Sequence, residues 1–390
     1  MRNQSSAMAS AVLLTLAGLL PAPVLGQSAP PTNSPPIPYR RESTGRACIL
    51  DGPSLRAGAV SFSRDGSTLY VGYEDGTIYR HEAITGWRMG RGVDTGLASI
   101  HALTISPDGQ EFAFAAPGPR NFVSPGGDVV TIRRPVETEV GKLSQMRGQI
   151  IALAYSADGK SIGAIDHFYN IRVWHVDDRS ELANSEDSLR ADGRLKPEAG
   201  SQASFSSDLK RALIVNNSSM VFKEGSWDHL IRLWESGSKE QRIFGNRGGF
   251  ESHPITCALI SSDGSRFVES HEENSIFCHE FASGRTLQSR IPGARARGND
   301  WTFLMLSPDN RRLVSATKRG AVLVDDFEDK LNGRQGFNGP SGSVRAAAFV
   351  PKGVRFATGG WDPLGAQTIP GRDWPKYEPV IIWEVEVEGM

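Results

Sequence analysis

Cysteine is scarce, with three residues in a chain of 390: Cys48, Cys257 and Cys278. Three thiols cannot build a disulfide framework, and none of them stands in a paired-Cys metal motif. An excess of charge of either sign is also missing, because 43 Lys and Arg stand against 44 Asp and Glu. Neither a nucleic-acid grip nor a polyanionic surface follows from that balance. The basic pairs Arg40-Arg41, Arg133-Arg134, Arg311-Arg312 and Lys318-Arg319 are scattered and read as solvated turn charges. There is no nucleophile elbow and no phosphate-cradling Gly loop, so no cofactor is expected. The one notable apolar run, AVLLTLAGLL from Ala11 to Leu20, falls well short of the roughly 20 residues a membrane-spanning helix demands.

That run has a different meaning. Arg2 lies ahead of it, Pro21 and Pro23 follow, and Val24-Leu25-Gly26 puts a small residue before Gln27. This is the layout of a secretory signal peptide over residues 1–26, and it predicts an extracytoplasmic (periplasmic or secreted) mature protein with no membrane span. No Cys lies near the cleavage point to carry a lipid anchor. Residues 27–45, QSAPPTNSPPIPYRRESTG, are rich in Pro and Ser and read as an extended, disordered linker.

The rest of the chain, 46–390, is dominated by an internal repeat. A strand, a Ser-x-Asp-Gly-like turn and a second strand recur as VSFSRDGSTLYVG, LTISPDGQEFAFA, LAYSADGKSIGAI, ASFSSDLKRALIV, ALISSDGSRFVES, LMLSPDNRRLVSA and AAFVPKGVRFATG. Asp65, Asp108, Asp158, Asp208, Asp263, Asp309 and Lys352 mark the turns, 43 to 55 residues apart. Asp can bond its own backbone two residues on, and Gly supplies the positive φ of a tight hairpin. A unit of this length, with loop insertions, matches a four-stranded propeller blade.

A third strand follows in several units, as Ile171-Arg172-Val173-Trp174, Ile231-Arg232-Leu233-Trp234-Glu235 and Ile381-Ile382-Trp383-Glu384. In these phrases, and in the Ser-Pro-Asp-Gly turn, the chain resembles the WD-repeat family over about residues 46 to 388. The resemblance implies an all-β fold: a seven-bladed β-propeller with four-stranded antiparallel blades, the ring closed by an N-terminal strand in the last blade. Arg46 to Leu50 is the segment left over at the start, and the strand at Ile381 lacks a fourth partner. The family's Gly-His dipeptide, a dozen residues before the turn Asp, is missing from all seven units. Gly96 fills its place in the second and Glu251 in the fifth. The family's buried Asp-His-Ser/Thr-Trp network is therefore expected to be absent, with apolar packing holding the blades.

Candidate chemistry is sparse. His81-Glu82 and His279-Glu280 fall in the slot that holds Trp234-Glu235 and Trp383-Glu384 elsewhere, so they read as strand-end residues. His271, Glu272 and Glu273 are of ligating type but too close in sequence to enclose a metal without further partners. Cys257 belongs to the first strand and Cys278 to the third strand of one blade, about 9 to 10 Å apart by strand spacing. A disulfide needs Cα atoms within about 7 Å, so three free thiols are expected. Asn216-Asn217-Ser218-Ser219 holds two overlapping glycosylation sequons.

The loops between second and third strands are long, aromatic and, in the repeat, all on one rim. They bring Arg120, Asn121 and Phe122; His167, Phe168 and Tyr169; Phe222, Trp227 and His229; and Trp361, Arg372, Trp374 and Tyr377. Exposed aromatics with Arg are what binding surfaces use. Arg120, Phe122, Phe168, Tyr169, Trp227, His229, Trp361, Arg372, Trp374 and Tyr377 are thus expected to contact a partner, with the opposite rim left to short, bare turns. The function expected is a monomeric, non-catalytic scaffold for a protein or peptide. Two alternatives stay open: an exported propeller enzyme, of hydrolase or lyase type, with its site at the central channel, and an intracellular WD-repeat subunit if residues 1–26 are not an export signal.

Overall fold

The computed structural model describes residues 47–50, 55–117, 128–134, 139–143, 146, 148–185, 202–216, 230–238, 241–244, 255–271, 275–290, 301–317, 321–327, 335–338, 343–350, 355–361 and 380–384. Within them the chain is all β. After β1 (Ala47–Ile49), blade 1 is built from β2 (Ala57–Phe62), β3 (Thr68–Tyr73), β4 (Thr77–Glu82) and β5 (Val93–Asp94). Blade 2 holds β6 (Ala102–Ile105), β7 (Phe112–Ala116), β8 (Val129–Arg133) and β9 (Glu139–Lys142). Blade 3 holds β10 (Ile150–Tyr155), β11 (Ser161–Asp166), β12 (Ile171–His175) and β13 (Glu181–Asn184). Blade 4 holds β14 (Gln202–Phe205), β15 (Arg211–Asn216), β16 (Leu230–Glu235) and β17 (Arg242–Phe244). Blade 5 holds β18 (Ile255–Ile260), β19 (Arg266–His271), β20 (Ile276–Glu280) and β21 (Thr286–Arg290). Blade 6 holds β22 (Trp301–Leu306), β23 (Arg312–Thr317), β24 (Ala321–Asp326) and β25 (Gln335–Asn338). Blade 7 takes β26 (Ser343–Phe349), β27 (Arg355–Trp361) and β28 (Ile381–Glu384), with β1 as its outer strand.

Each blade is an antiparallel meander, and the first strand of each packs against that of the next, β26 against β2 included. The protein is a seven-bladed β-propeller. Closure is as the unpaired ends require: Ala47, Cys48 and Ile49 lie opposite Trp383, Ile382 and Ile381, and Leu50 N donates to Val380 O at 3.0 Å. Seven apolar clusters fill the seven joints between blades. Burial of such surface, at about 25 cal/mol per Å², is the main force holding the ring.

The meander fixes two rims. Turns from first to second strand lie below; loops from second to third strand, and connections between blades, lie above. Below, six turns share one bond set. Ser63, Ser106, Ser156, Ser206, Ser261 and Ser307 each donate from Oγ to the Asp two residues on, at 2.5 to 2.6 Å. That Asp accepts the backbone N–H of the residue two further on. The seventh turn starts at Val350, which has no hydroxyl, and Lys352 lies outside the described residues. Two turns use a side chain where the others use Gly. Asn310 (φ 58) accepts Ser262 N on Oδ1 at 2.8 Å. Leu209 (φ 56) is buried against Tyr169 and Trp234. Burial of its isobutyl group, worth about 1.5–3 kcal/mol, offsets a left-handed cost of roughly 1–2 kcal/mol.

The slot shared by His and Trp is real. Facing Leu69, Ile162, Ala212, Phe267 and Phe356 across the second and third strands are His81, Trp174, Trp234, His279 and Trp383, all buried. Burial pushes His81 down to about 4, so it is neutral at pH 7; its Nδ1 bonds Gly86 O at 3.2 Å. Two polar pairs of the family's type occur, in separate blades, without joining into the four-residue network. Trp383 Nε1 donates to Thr358 Oγ1 at 2.9 Å, and His101 Nδ1 meets Asp128 Oδ2 at 2.9 Å. His101 was missed because it stands nearer the turn Asp than the family's spacing allows.

Cys257 lies opposite Ser270 and Cys278 opposite Val268, so β19 separates them; both are buried and neither is in a disulfide. Burial pushes each up to about 11. Cys48 is on β1 in blade 7. Thiol titration should show three free thiols in denaturant without reductant, and slow reaction of Cys257 and Cys278 in the native state; a count of one would disprove the strand argument.

Candidate interaction site

On the upper rim between blades 2 and 3, the second-to-third loop of blade 3 meets the described part of the neighbouring blade connection. The frame of this stretch is two buried carboxylates. Asp166, at the end of β11, accepts Phe168 N at 2.9 Å, Asn170 N at 2.9 Å and Asn170 Nδ2 at 2.8 Å. It also accepts Gly148 N from the connection, at 3.0 Å. Asp128, just before β8, takes Ile150 N at 2.9 Å beside His101. Its own N–H donates to Gly148 O, and its C=O accepts Met146 N. The connection is thereby held from both sides, and the donors offset the cost of burying polar oxygens.

On this frame sits an aromatic pair. His167 and Phe168 stack with centroids 4.2 Å apart. His167 Nδ1 accepts Gln149 N at 2.7 Å, which fixes the ring. A Cβ at Gly148 would come within 2.5 Å of Phe168 and 2.7 Å of His167, so only Gly lets the connection pass beneath the pair. Phe168 is 40% exposed, a large apolar face held rigid at the surface.

Tyr169 does not join it, which corrects its expected place at the surface. With φ at 68 its chain turns inward. The ring is 1% exposed in the joint between blades 3 and 4, with the Arg232 guanidinium 5.7 Å from its centroid. Tyr169 supports the loop and Phe168 presents. Trp361 ends β27 on the upper rim of blade 7, opposite Ser343. Arg120, Phe122, Trp227, His229, Arg372, Trp374 and Tyr377 lie outside the described residues, as do residues 1–46. His101, Asp128, Asp166 and Gly148 are the supporting residues that sequence reasoning missed; they are single polar or small residues without a repeated pattern.

The lower rim is not bare, contrary to expectation. The turn after β4 exposes Ile84 (70%), Trp87 (48%) and Met89 (41%), and Glu82 N donates to Trp87 O at 2.8 Å to close it. The seven inner strands carry no Asp, Glu, His or Lys, and Arg345 is their one charged residue. Among the described residues no group of three or more His, Cys, Asp or Glu is placed to hold a metal, and no helix is long and apolar enough to cross a membrane. The propeller defines the class of molecule; beyond it, the chain matches no protein-family model and no curated protein.

Proposed function

We propose that the chain is an exported, WD-repeat-like propeller that works as a monomeric, non-catalytic scaffold, binding a protein or peptide partner on its upper rim. The observation that carries this reading is Phe168. It is apolar, exposed and preorganised by Asp166 and Gly148, and such side chains bind at low entropic cost. The inner strands lack acid–base groups, which favours binding over chemistry in the channel. The aromatic-rich loops at Phe122, Trp227 and Trp374 would widen the same face.

The test is a pull-down from the extracytoplasmic fraction, followed by titration with variants. Phe168→Ala, and separately Trp374→Ala with Tyr377→Ala, should leave the melting temperature near that of the wild type. Each should weaken the partner by about 2 kcal/mol or more if these side chains are central anchors. Normal binding by both, with loss on Ile84→Ser and Trp87→Ser, would place the partner on the lower rim. Sequencing of the mature protein should begin near Gln27; an intact Met1 species as the stable form would rule out export.

A further inference from the structure

Blade 5 differs from blade 7 at two neighbouring interior positions. In blade 7, Trp383 faces Phe356, stacks on it at 6.3 Å and 22°, and bonds Thr358. In blade 5, His279 faces Phe267 and stacks on it at 4.8 Å and 24°. The position of Thr358 is taken by Glu269. His279 Nε2 meets Glu269 Oε1 at 3.0 Å, and His271 Nε2 meets the same oxygen at 3.2 Å. The Glu269 side chain is 8% exposed, and its Oε2 has no hydrogen-bond partner among the described residues. Phe244 of blade 4 lies 4.8 Å from the His279 ring. A carboxylate and two imidazoles thus occupy, in the joint between blades 4 and 5, a place that a neutral pair fills elsewhere.

A neutral pair would avoid desolvating a charge. Burial opposes ionisation of Glu269, but the hydrogen bonds from His271 and His279 outweigh it and hold the carboxyl below its usual range. Other charges facing this joint are engaged at its lower end. Arg242 donates to Phe281 O and Ala282 O. Arg211 pairs with Glu235 and donates to Gly264 O. From the flanking strands, Ala258 lies opposite Glu269, and Thr286 Oγ1 meets His279 Nδ1 at 3.2 Å.

We propose that Glu269, His271 and His279 form a proton-operated latch in the joint between blades 4 and 5. While ionised, Glu269 clamps both imidazoles, one from β19 and one from β20. Its protonation removes the charge that holds them and loosens this joint ahead of the others. The sign follows from linkage: stabilisation by a carboxylate depressed in the folded state is fully present above its unfolded value, near 4.3. It is lost as pH falls through the folded value.

The test compares melting of the whole chain from pH 7 to pH 3 with that of the double variant Glu269→Thr, His279→Trp, which installs the blade 7 pair. Several turn aspartates, Asp65 at about 2 among them, are also held below the usual range by hydrogen bonds from Ser hydroxyls and backbone N–H groups. They are common to both proteins and cancel in the difference. The wild-type melting temperature should fall relative to the variant by roughly 2 °C or more below pH 4; a constant difference across the range overturns the proposal. A second measurement needs no variant. After correction for intrinsic rates, amides of β19 and β20 should lose exchange protection in acid before those of β27 and β28. Equal loss in the two blades also overturns it.

Discussion

A chain ending at Pro379 should show no cooperative unfolding transition in heat or urea. The eleven residues removed are few, but β28 holds two joints at once. Ile381 and Trp383 pack into the joint between blades 6 and 7, while Val380 and Ile382 pack into that between blades 7 and 1. All four are buried. Their loss also leaves β27 with an open edge and β1 with no partner, and an unpaired edge invites association with other chains. The expected product is aggregated, or compact without fixed near-ultraviolet circular dichroism. A truncated protein that melts in one sharp step near the wild-type temperature would mean that the ring does not depend on its seam.

Trp174→Ala should cost about 3–5 kcal/mol, the range for removing a buried Trp. The indole is 1% exposed and packs in the joint between blades 2 and 3, in a cluster that includes Ile162, Ala164, Val130 and Met146. Against a typical total of about 5–15 kcal/mol, that loss is large enough to shift a urea midpoint markedly. Trp87→Ala is the matched control: the ring is 48% exposed, and surface changes of this kind stay within about 0.5 kcal/mol. Similar losses in the two variants would contradict the placement of Trp174.

The contrast shows what kind of information the chain carries openly. The blade count was legible because Ser-x-Asp turns at Asp65, Asp108 and Asp158 are local devices, whose bonds span five residues or fewer. The Trp slot was legible because strand pairing repeats it in each blade. The site was legible only in outline. Phe168 and Tyr169 are neighbours of the same chemical type, and which of them faces solvent depends on a left-handed φ and on Arg232 in the next blade. His101 and Asp128 are 27 positions apart and share no motif. The exposed Trp87 belongs to a turn that the aligned repeat does not cover.

The seam also has a mechanical consequence. Ala47 lies opposite Trp383 and Ile49 opposite Ile381, so the chain enters and leaves the ring on the same side of one strand pair. A force drawing the two ends apart therefore loads the β1–β28 pairing from its open end, one rung after another, and never shears all of it together. Packed joints flank blade 7 on both sides, yet the ring has a tear line, and traction on its ends should peel blade 7 before any other.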